Sequence, residues 1–378
     1  MIQTRDAAIL ALMLAIGAGT AVFNGHTVQA QSGGDKAVNT NAVDCNVQSN
    51  VPSPSLPGMN SEVRMECSAS QRSMTANSIP NHIVGNFPSP GNPNRISAQN
   101  SRFSMPLSAR VVRDKGMAVN VPGYARNGIM LEPQTEEVFG GVGMGREGWR
   151  YEAIQTVYNL GLDMNLAHVQ PTGNYHYHGL PSEYLKVLNQ GEQMTLIAWA
   201  SDGFPIYARY GYSNAMNAAS GIKVMRPNFR LKTPEELQAT RVNGQPRPGF
   251  DSGERRRNTE VGSLPLGVFV QDWVYDSSLG GDLDECNGRF GVTPEFPKGI
   301  YHYYITEAYP YMQRCIKGDG KELRTGGGGG MGARPPPGMG GPPGGPPGGP
   351  PGGPPGGPPG GPPDGPPDGG VRKPPPGG

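Results

Sequence analysis

The sequence predicts a mainly β protein, with an antiparallel sandwich-like or barrel-like domain and a few short helices. Aromatic and β-branched residues dominate short apolar segments such as "LIAWASDGFPIYARYGY", "LGVFVQDWVYD" and "GIYHYYITEAYPYM", a composition typical of strands. Gly, Pro and Asn interrupt these segments at close intervals, as turns between antiparallel strands require. Residues 79–324 are therefore expected to form one β domain.

Two segments carry helical signals within this β pattern. Residues 149–162, "WRYEAIQTVYNLGL", are predicted to be helical. In "TPEELQATRV", Thr233 can cap a helix that Pro234 opens, and Glu236 stands in the capping-box position. The surrounding region, 221–258, is charged and contains proline with little alternation, so we interpret it as an excursion or flexible insertion on the scaffold.

The start of the 378-residue chain has the pattern of an export signal. Residues 1–30 combine a basic start, an apolar run over 7–23 and a small-residue cleavage site over 28–30. An uncleaved membrane anchor is the alternative, because the apolar run is of borderline length for a span. The signal predicts an exported protein, periplasmic or extracellular, with no membrane span in the mature chain.

The other end, residues 325–378, is a GGPP-repeat tail. Collagen needs glycine at every third position, so a four-residue repeat excludes a triple helix. Almost no apolar side chain is present to offset the entropy lost on ordering, and the tail is predicted to be disordered. Its expected role is that of a spacer, or of a tether to a surface or a protein.

Residues 31–78 and the cysteines define the remaining framework. The segment 31–78 is polar and rich in Ser, Asn and Pro, so we expect it to be loop-like and held mainly by a disulfide. An exported protein pairs its cysteines, and short loops favour Cys45 with Cys67 and Cys286 with Cys315. A zinc site built from cysteines is the alternative, although no C-x-x-C spacing supports it.

Composition and motifs argue against several classes of function. With 32 basic and 31 acidic residues the net charge is +1, which provides no field to attract nucleic acid or anionic lipid. The stretch "GMGREG" fits G-x-G-x-x-G, but the segment before it is a poor strand, so a dinucleotide site is not expected. The chain contains no H-E-x-x-H zinc motif and no G-x-S-x-G nucleophile motif.

The most informative stretch is "GNYHYHGLP", which places His176 and His178 two residues apart. In an extended strand, alternate side chains point to opposite faces, so the two imidazoles lie on one face and Tyr175 and Tyr177 on the other. Cα atoms two residues apart are separated by about 6.5–7 Å, which lets both rings bind one ion at about 2 Å. A half-buried sheet whose polar tips bond water or backbone is the alternative.

A second part of the chain repeats this motif in part, and we call this internal similarity the echo. The stretches "LDMNLAHVQPTGNYHYHGLPSEYL" and "LDECNGRFGVTPEFPKGIYHYYITEAYPYM" share Leu-Asp, a loop, Gly-x-Tyr-His-Tyr and a Pro-Tyr element. Either a structural unit is duplicated or two strands meet one site. Both interpretations bring His302 near His176 and His178 if those strands pair or face each other.

The histidines and two aspartates make up the candidate site. The predicted metal ligands are His176, His178, His302, His168 and His82. Such a set suits zinc or copper better than magnesium or calcium. Asp202 and Asp284 are the candidate catalytic residues, because a nearby carboxylate can orient an imidazole or accept a proton from metal-bound water. For Asp202 the alternative is a purely local role in an Asp-Gly turn.

The ordered set of motifs resembles the YHYH-domain family, a group of largely exported proteins. The resemblance runs from about residue 78 to 318 and rests on "IPNH" at 79–82, "RNG" at 126–128, "YHYH" at 175–178, "DGFPIY" at 202–207, "LDECNGRF" at 283–290, "YHY" at 301–303 and "YPY" at 309–311. It implies a family but no settled activity, cofactor or catalytic residue. Relatives carry cysteines on both sides of the motif, whereas "LDMNLAH" and "LPSEYL" contain none, so no disulfide is expected to brace it.

Two hypotheses follow from these observations. The first is an exported protein whose histidine cluster binds a zinc or copper ion for handling, sensing, or hydrolytic or redox chemistry. The second is a non-enzymatic extracytoplasmic module that binds a ligand or serves a surface structure, with tyrosine-rich strands as an aromatic platform for a small molecule or glycan. Metal content separates the two.

Overall fold

The computed structural model describes residues 36–139, 148–249, 264–321 and 323. The predicted signal peptide, the GGPP-repeat tail and most of "GMGREG" lie outside these residues. The chain divides into two units, Met1–Gly328 and Gly329–Gly378, and every described residue belongs to the first.

The described residues form twenty strands and two α-helices, which confirms the mainly β prediction. The strands are β1 (Val38–Asn39), β2 (Val47–Pro52), β3 (Asn60–Cys67), β4 (Gln71–Ala76), β5 (Ser101–Pro106), β6 (Ser108–Ala109), β7 (Met117–Ala118), β8 (Gly123–Ala125), β9 (Met130–Leu131), β10 (Ala167–Val169), β11 (Tyr175–Tyr177), β12 (Thr195–Ala200), β13 (Pro205–Ala208), β14 (Tyr210–Asn214), β15 (Asn217–Val224), β16 (Phe229–Leu231), β17 (Trp273–Tyr275), β18 (Gly288–Gly291), β19 (Ile300–Ile305) and β20 (Cys315–Ile316). The helices are α1 (Ser182–Leu188) and α2 (Pro234–Ala239), and two 3-10 turns cover Val270–Asp272 and Ser277–Leu279.

An eight-stranded sheet forms the centre of the fold, in the order β10-β11-β9-β8-β12-β13-β19-β18. The pairs β9/β11 and β13/β19 are parallel and the others are antiparallel, so the sheet is mixed. Strands β12 and β19 are buried at every position. Their near-continuous apolar and aromatic sequence is what a strand covered on both faces requires.

A four-stranded antiparallel sheet, β2-β3-β4-β5, packs beside the large one and corrects the expectation of a loop-like segment over 31–78. Strand β3 alternates exposed and buried positions, with Val63 and Met65 buried among polar neighbours. On β5 the Phe103 ring stacks on Tyr124 of the large sheet at a centroid distance of 3.6 Å. The period-2 alternation decides the structure here, because a strand needs an apolar residue only at every second position.

The two predicted disulfides, Cys45–Cys67 and Cys286–Cys315, are both confirmed. All four cysteines are therefore paired, which rules out the cysteine zinc site. The first bridge ties the segment before β2 to the end of β3, and the second ties the turn before β18 to β20.

The predicted helix over 149–162 is wrong, whereas the predicted capping box is confirmed. Tyr151 forms a bridge to Phe269, and Trp149 packs on the same ring in a small separate core, so tertiary contacts override the local pattern. At α2, Thr233 Oγ1 accepts the Glu236 N–H and Glu236 Oε2 accepts the Thr233 N–H. No helix among the described residues has the length and apolar character needed to cross a membrane.

The positions of β11 and β19 decide which histidines can meet. They are the second and seventh strands of the large sheet, so four strands lie between them. Five strand spacings of about 4.8 Å amount to roughly 24 Å. The two echo strands neither pair nor face each other, and His302 is not brought to His176 and His178.

Candidate metal centre

The hairpin β10–β11 gathers three imidazoles on one face. His168 and His176 are directly opposite each other in the antiparallel register. His178 follows β11 by one residue and donates its main-chain N–H to Leu166 O at 2.8 Å. Because side chains alternate along a strand, the third ring returns to the same face as His176.

The three rings of this cluster, His168, His176 and His178, converge on one point. Their centroids are separated by 4.7, 4.8 and 4.7 Å, and one nitrogen from each lies within 4.8 Å of the others. The Nε2 atoms of His168 and His178 are 3.1 Å apart. The residues are 9%, 1% and 2% exposed in chain order, so the centre is almost closed to water.

Backbone carbonyls fix which ring nitrogens carry hydrogen. His168 Nδ1 donates to Leu160 O at 2.7 Å and His176 Nδ1 donates to Asn174 O at 3.2 Å. Burial lowers the pKa of all three histidines, that of His176 to about 3, so the rings are neutral at pH 7. A neutral ring with hydrogen on Nδ1 presents a lone pair on Nε2, and here both lone pairs face the cluster.

A carboxylate that the sequence analysis missed lies beside the cluster. Glu132 follows β9, the strand parallel to β11, and its Oε2 lies 3.2 Å from His176 Nε2. The same oxygen accepts a hydrogen bond from Gln170 Nε2 at 2.8 Å. Burial raises the pKa of Glu132 to about 7. One signal in the sequence could have indicated Glu132, namely a glutamate directly after the buried apolar stretch "GIML". Carboxylates are seldom buried without a partner, so a glutamate at this place indicates an interaction.

Two contacts in this centre bring potential ligand atoms together. His168 Nε2 meets His178 Nε2 at 3.1 Å, and His176 Nε2 meets Glu132 Oε2 at 3.2 Å. In a buried site such pairs are unfavourable unless a proton or a cation lies between them. Tetrahedral ligands at about 2.0–2.1 Å from an ion are about 3.4 Å apart, close to both distances.

His82 and His302 lie elsewhere, with both ring nitrogens bound by protein. His82 Nδ1 donates to Ile83 O at 2.9 Å, and its Nε2 accepts the Tyr177 hydroxyl at 2.6 Å. His302 Nδ1 donates to Ile300 O and its Nε2 accepts the Tyr304 hydroxyl, both at 2.9 Å. Tyr177 points to the face of β11 opposite the cluster, and β19 is five strands away, so the structure does not bring either histidine to the centre.

The two candidate catalytic aspartates also lie away from the cluster. Asp202 is fully buried, and its Oδ2 accepts the Tyr303 hydroxyl at 2.6 Å and the Gly318 N–H at 2.8 Å. Asp284 Oδ2 accepts the Tyr301 hydroxyl at 2.8 Å. Both carboxylates stand at the β19 side of the sheet and bind its tyrosines, so the local turn explains Asp202 better than a role beside the histidines.

His302 gives the stability of the fold a defined pH dependence. Burial, followed by the charge of Arg289, lowers its pKa from about 6.5 to about 3. Between these values the unfolded chain binds a proton that the folded protein does not, so stability falls as the pH falls. We expect the stability advantage of the wild type over His302→Gln to shrink below pH 6.5 by up to about 1.4 kcal/mol per pH unit.

Urea unfolding of both proteins at pH 7, 6, 5 and 4 measures this difference. The other buried histidines are common to the two proteins, so their contributions cancel. A stability difference that stays constant with pH would mean that His302 is not held neutral.

Comparison with known proteins identifies one family. A family model described as "YHYH protein" matches residues 102–318, more than half of the chain. The matched range contains the three clustered histidines and Glu132, but not His82. No curated protein and no solved structure matches the chain.

Proposed function

The chain belongs to the YHYH protein family, and we propose that it is an exported protein that binds one transition-metal ion, zinc or copper. The ion lies between His168, His176 and His178. Glu132 supplies a fourth ligand through Oε2, which already lies 3.2 Å from His176 Nε2. Membership of the family implies no activity, so the proposal rests on the geometry of these four side chains.

The observation that carries the proposal is the pair of buried contacts between ligand atoms, at 3.1 and 3.2 Å. Without an ion each contact needs a proton of its own, one on His178 Nε2 and one on Glu132. One cation satisfies all four atoms together. A histidine whose Nδ1 donates to a carbonyl is held in the tautomer that leaves Nε2 free to bind an ion. His168 and His176 both donate to a carbonyl in this way.

Zinc is the ion that the ligand set favours. Three neutral imidazoles and one carboxylate form a tetrahedral set, and zinc accepts this geometry with no preference of its own. Copper also binds imidazole well, but Cu(II) prefers a tetragonal arrangement. Magnesium and calcium require oxygen ligands, of which the centre offers one.

We assign the ion a structural role. With Glu132 bound, protein fills all four positions, whereas a catalytic zinc keeps one position open. The ion joins β10, β11 and the end of β9, and β10 is the edge strand of the large sheet. It thereby ties the edge hairpin to the neighbouring strand β9.

The alternative, an aromatic platform for a glycan or partner, has less support. Tyr175, Tyr177, Tyr303 and Tyr304 are each 0% exposed, so the tyrosines of the motif strands present no face to a ligand. A cavity of about 460 Å³ lies beside the four-stranded sheet, but its lining contains no aromatic residue.

Elemental analysis of the purified protein tests metal binding. We expect about one zinc or copper ion per chain in the wild type and less than a tenth of that in His176→Ala/His178→Ala. The matched control is His302→Ala, which removes a buried histidine from the same sheet outside the cluster and retains the ion. A wild type that stays metal-free after refolding with zinc or copper would overturn the proposal.

A further inference from the structure

The two halves of the large sheet are built alike. In the first half the order from the edge is β10-β11-β9-β8, and in the second half, read from the other edge, it is β18-β19-β13-β12. Each half contains an antiparallel edge hairpin, then one parallel pair, then one antiparallel pair. The halves join at β8 and β12, so a pseudo-two-fold axis lies between these strands.

Side-chain contacts repeat across this axis. Asp163 accepts the Tyr175 hydroxyl at 2.7 Å, and Asp284 accepts the Tyr301 hydroxyl at 2.8 Å. In both hairpins the aspartate N–H donates at 2.8 Å to the carbonyl four residues ahead. The echo in the sequence is therefore a duplicated structural unit.

A second pair of contacts fixes the alignment of the inner strands. Asn127, in the turn between β8 and β9, donates to the Tyr177 hydroxyl at 3.0 Å. Asp202, in the turn between β12 and β13, accepts the Tyr303 hydroxyl at 2.6 Å. The glycines that follow, Gly128 and Gly203, have φ of 79° and 83°. The two turns occupy equivalent places.

The register then assigns a counterpart to each residue of the metal centre. His168 is opposite His176 in β10–β11, and Arg289 is opposite His302 in β18–β19. The same alignment places Tyr304 at the position of His178 and Tyr207 at that of Glu132. The four corresponding pairs are His168 and Arg289, His176 and His302, His178 and Tyr304, and Glu132 and Tyr207.

We propose that the second half contains a converted metal centre, in which the guanidinium of Arg289 replaces the ion and one of its histidine ligands. The inference rests on the proposed function of the first centre. Arg289 reaches over the Tyr304 ring at 5.6 Å and donates to Tyr212 O at 2.9 Å. A side-chain cation thus lies over the ring of the residue that corresponds to His178.

The retained histidine keeps the orientation of a ligand. His302 Nδ1 donates to the carbonyl two residues before it at 2.9 Å, as His176 Nδ1 does at 3.2 Å. Its Nε2 accepts the Tyr304 hydroxyl, where the corresponding atom of His176 meets Glu132. Tyr304 thus pairs with the ring nitrogen of His302 that would otherwise bind an ion.

The test restores the three histidines of the second centre and leaves Tyr207 at the position that corresponds to Glu132. We expect R289H/Y304H, which places three histidines at the equivalent positions, to raise the metal content from one to two ions per chain. The matched control R289Q/Y304F removes the arginine and the hydroxyl without adding ligands, and it is expected to stay at one ion. A folded R289H/Y304H that still binds one ion overturns the inference.

The reverse exchange keeps the inference testable if R289H/Y304H does not fold. His168→Arg/His178→Tyr converts the first centre to the second pattern and is expected to fold without metal, with a Tm that a chelator leaves unchanged. If this variant is unfolded while His168→Gln/His178→Gln folds, the arginine is not a substitute for the ion, and the inference fails. A metal-free wild type would instead contradict the proposed function.

Discussion

Removal of the metal by a chelator is expected to lower the free energy of unfolding by about 4 kcal/mol when free metal has been present at about 1,000 times its Kd. The proposed ion would bind only the folded arrangement of β10, β11 and Glu132, so its binding energy would add to stability. The proposed ion would bridge His176 Nε2 and Glu132 Oε2, which lie 3.2 Å apart. Urea unfolding with and without the chelator measures the change.

The control for this effect is a pair of histidines at equivalent positions in the two halves. His176→Ala is expected to unfold at the same urea concentration with or without chelator, because its centre has lost a ligand. His302→Ala is expected to keep the full chelator response. Equal responses from the two variants would contradict the placement of the ion.

Replacement of Asp202 by alanine is expected to destabilise the fold by about 2–6 kcal/mol without changing the metal content. The carboxylate accepts the Tyr303 hydroxyl at 2.6 Å and the Gly318 N–H at 2.8 Å, both in the buried interior. Each donor left without an acceptor costs about 1–3 kcal/mol. Thermal or urea unfolding gives the stability change, and elemental analysis gives the metal content.

Asn127→Ala is the matched comparison for Asp202→Ala, since the two residues occupy equivalent turns. It is expected to cost less, about 1–3 kcal/mol, because only the Ile129 N–H loses its acceptor and the Tyr177 hydroxyl keeps its hydrogen bond to His82 at 2.6 Å. A folded Asp202→Ala variant of unchanged stability that had lost its metal would show instead that this carboxylate serves the metal centre.

Local signals in the sequence were sufficient for several features of the fold. Alternating aromatic and β-branched residues indicated strands, short loops indicated both disulfides, and Thr233 with Glu236 indicated the start of α2. The spacing of His176 and His178 placed both on one face of a strand. In each case the information lies within a few residues or one short loop.

Features that depend on the order of strands were beyond this reasoning. Periodicity assigns a side chain to a face of its own strand, but it does not say which strands are neighbours. His302 was therefore expected beside the YHYH strand, whereas duplication places it in the opposite half. Glu132 was missed for the same reason, because only the parallel pairing of β9 with β11 brings it to His176.

The secondary structure of two segments was predicted wrongly, because their overall composition was given more weight than the spacing of their apolar residues. Residues 47–76 contain three strands, and in β3 and β4 the apolar positions alternate with Ser, Glu, Arg and Thr. Residues 149–162 were expected to be a helix, yet Trp149 and Tyr151 pack on Phe269, far away in sequence. Tertiary contacts of this kind override weak local preference.

X-ray absorption spectroscopy at the metal edge of the purified protein is the most direct test of the central claim, that an ion joins the two strands of the YHYH hairpin. The spectrum is predicted to show three imidazole nitrogens and one carboxylate oxygen at about 2.0–2.1 Å, and this shell is predicted to be absent in His168→Ala because the centre has lost a ligand. A shell without imidazole scattering, or a spectrum that His168→Ala leaves unchanged, would contradict it.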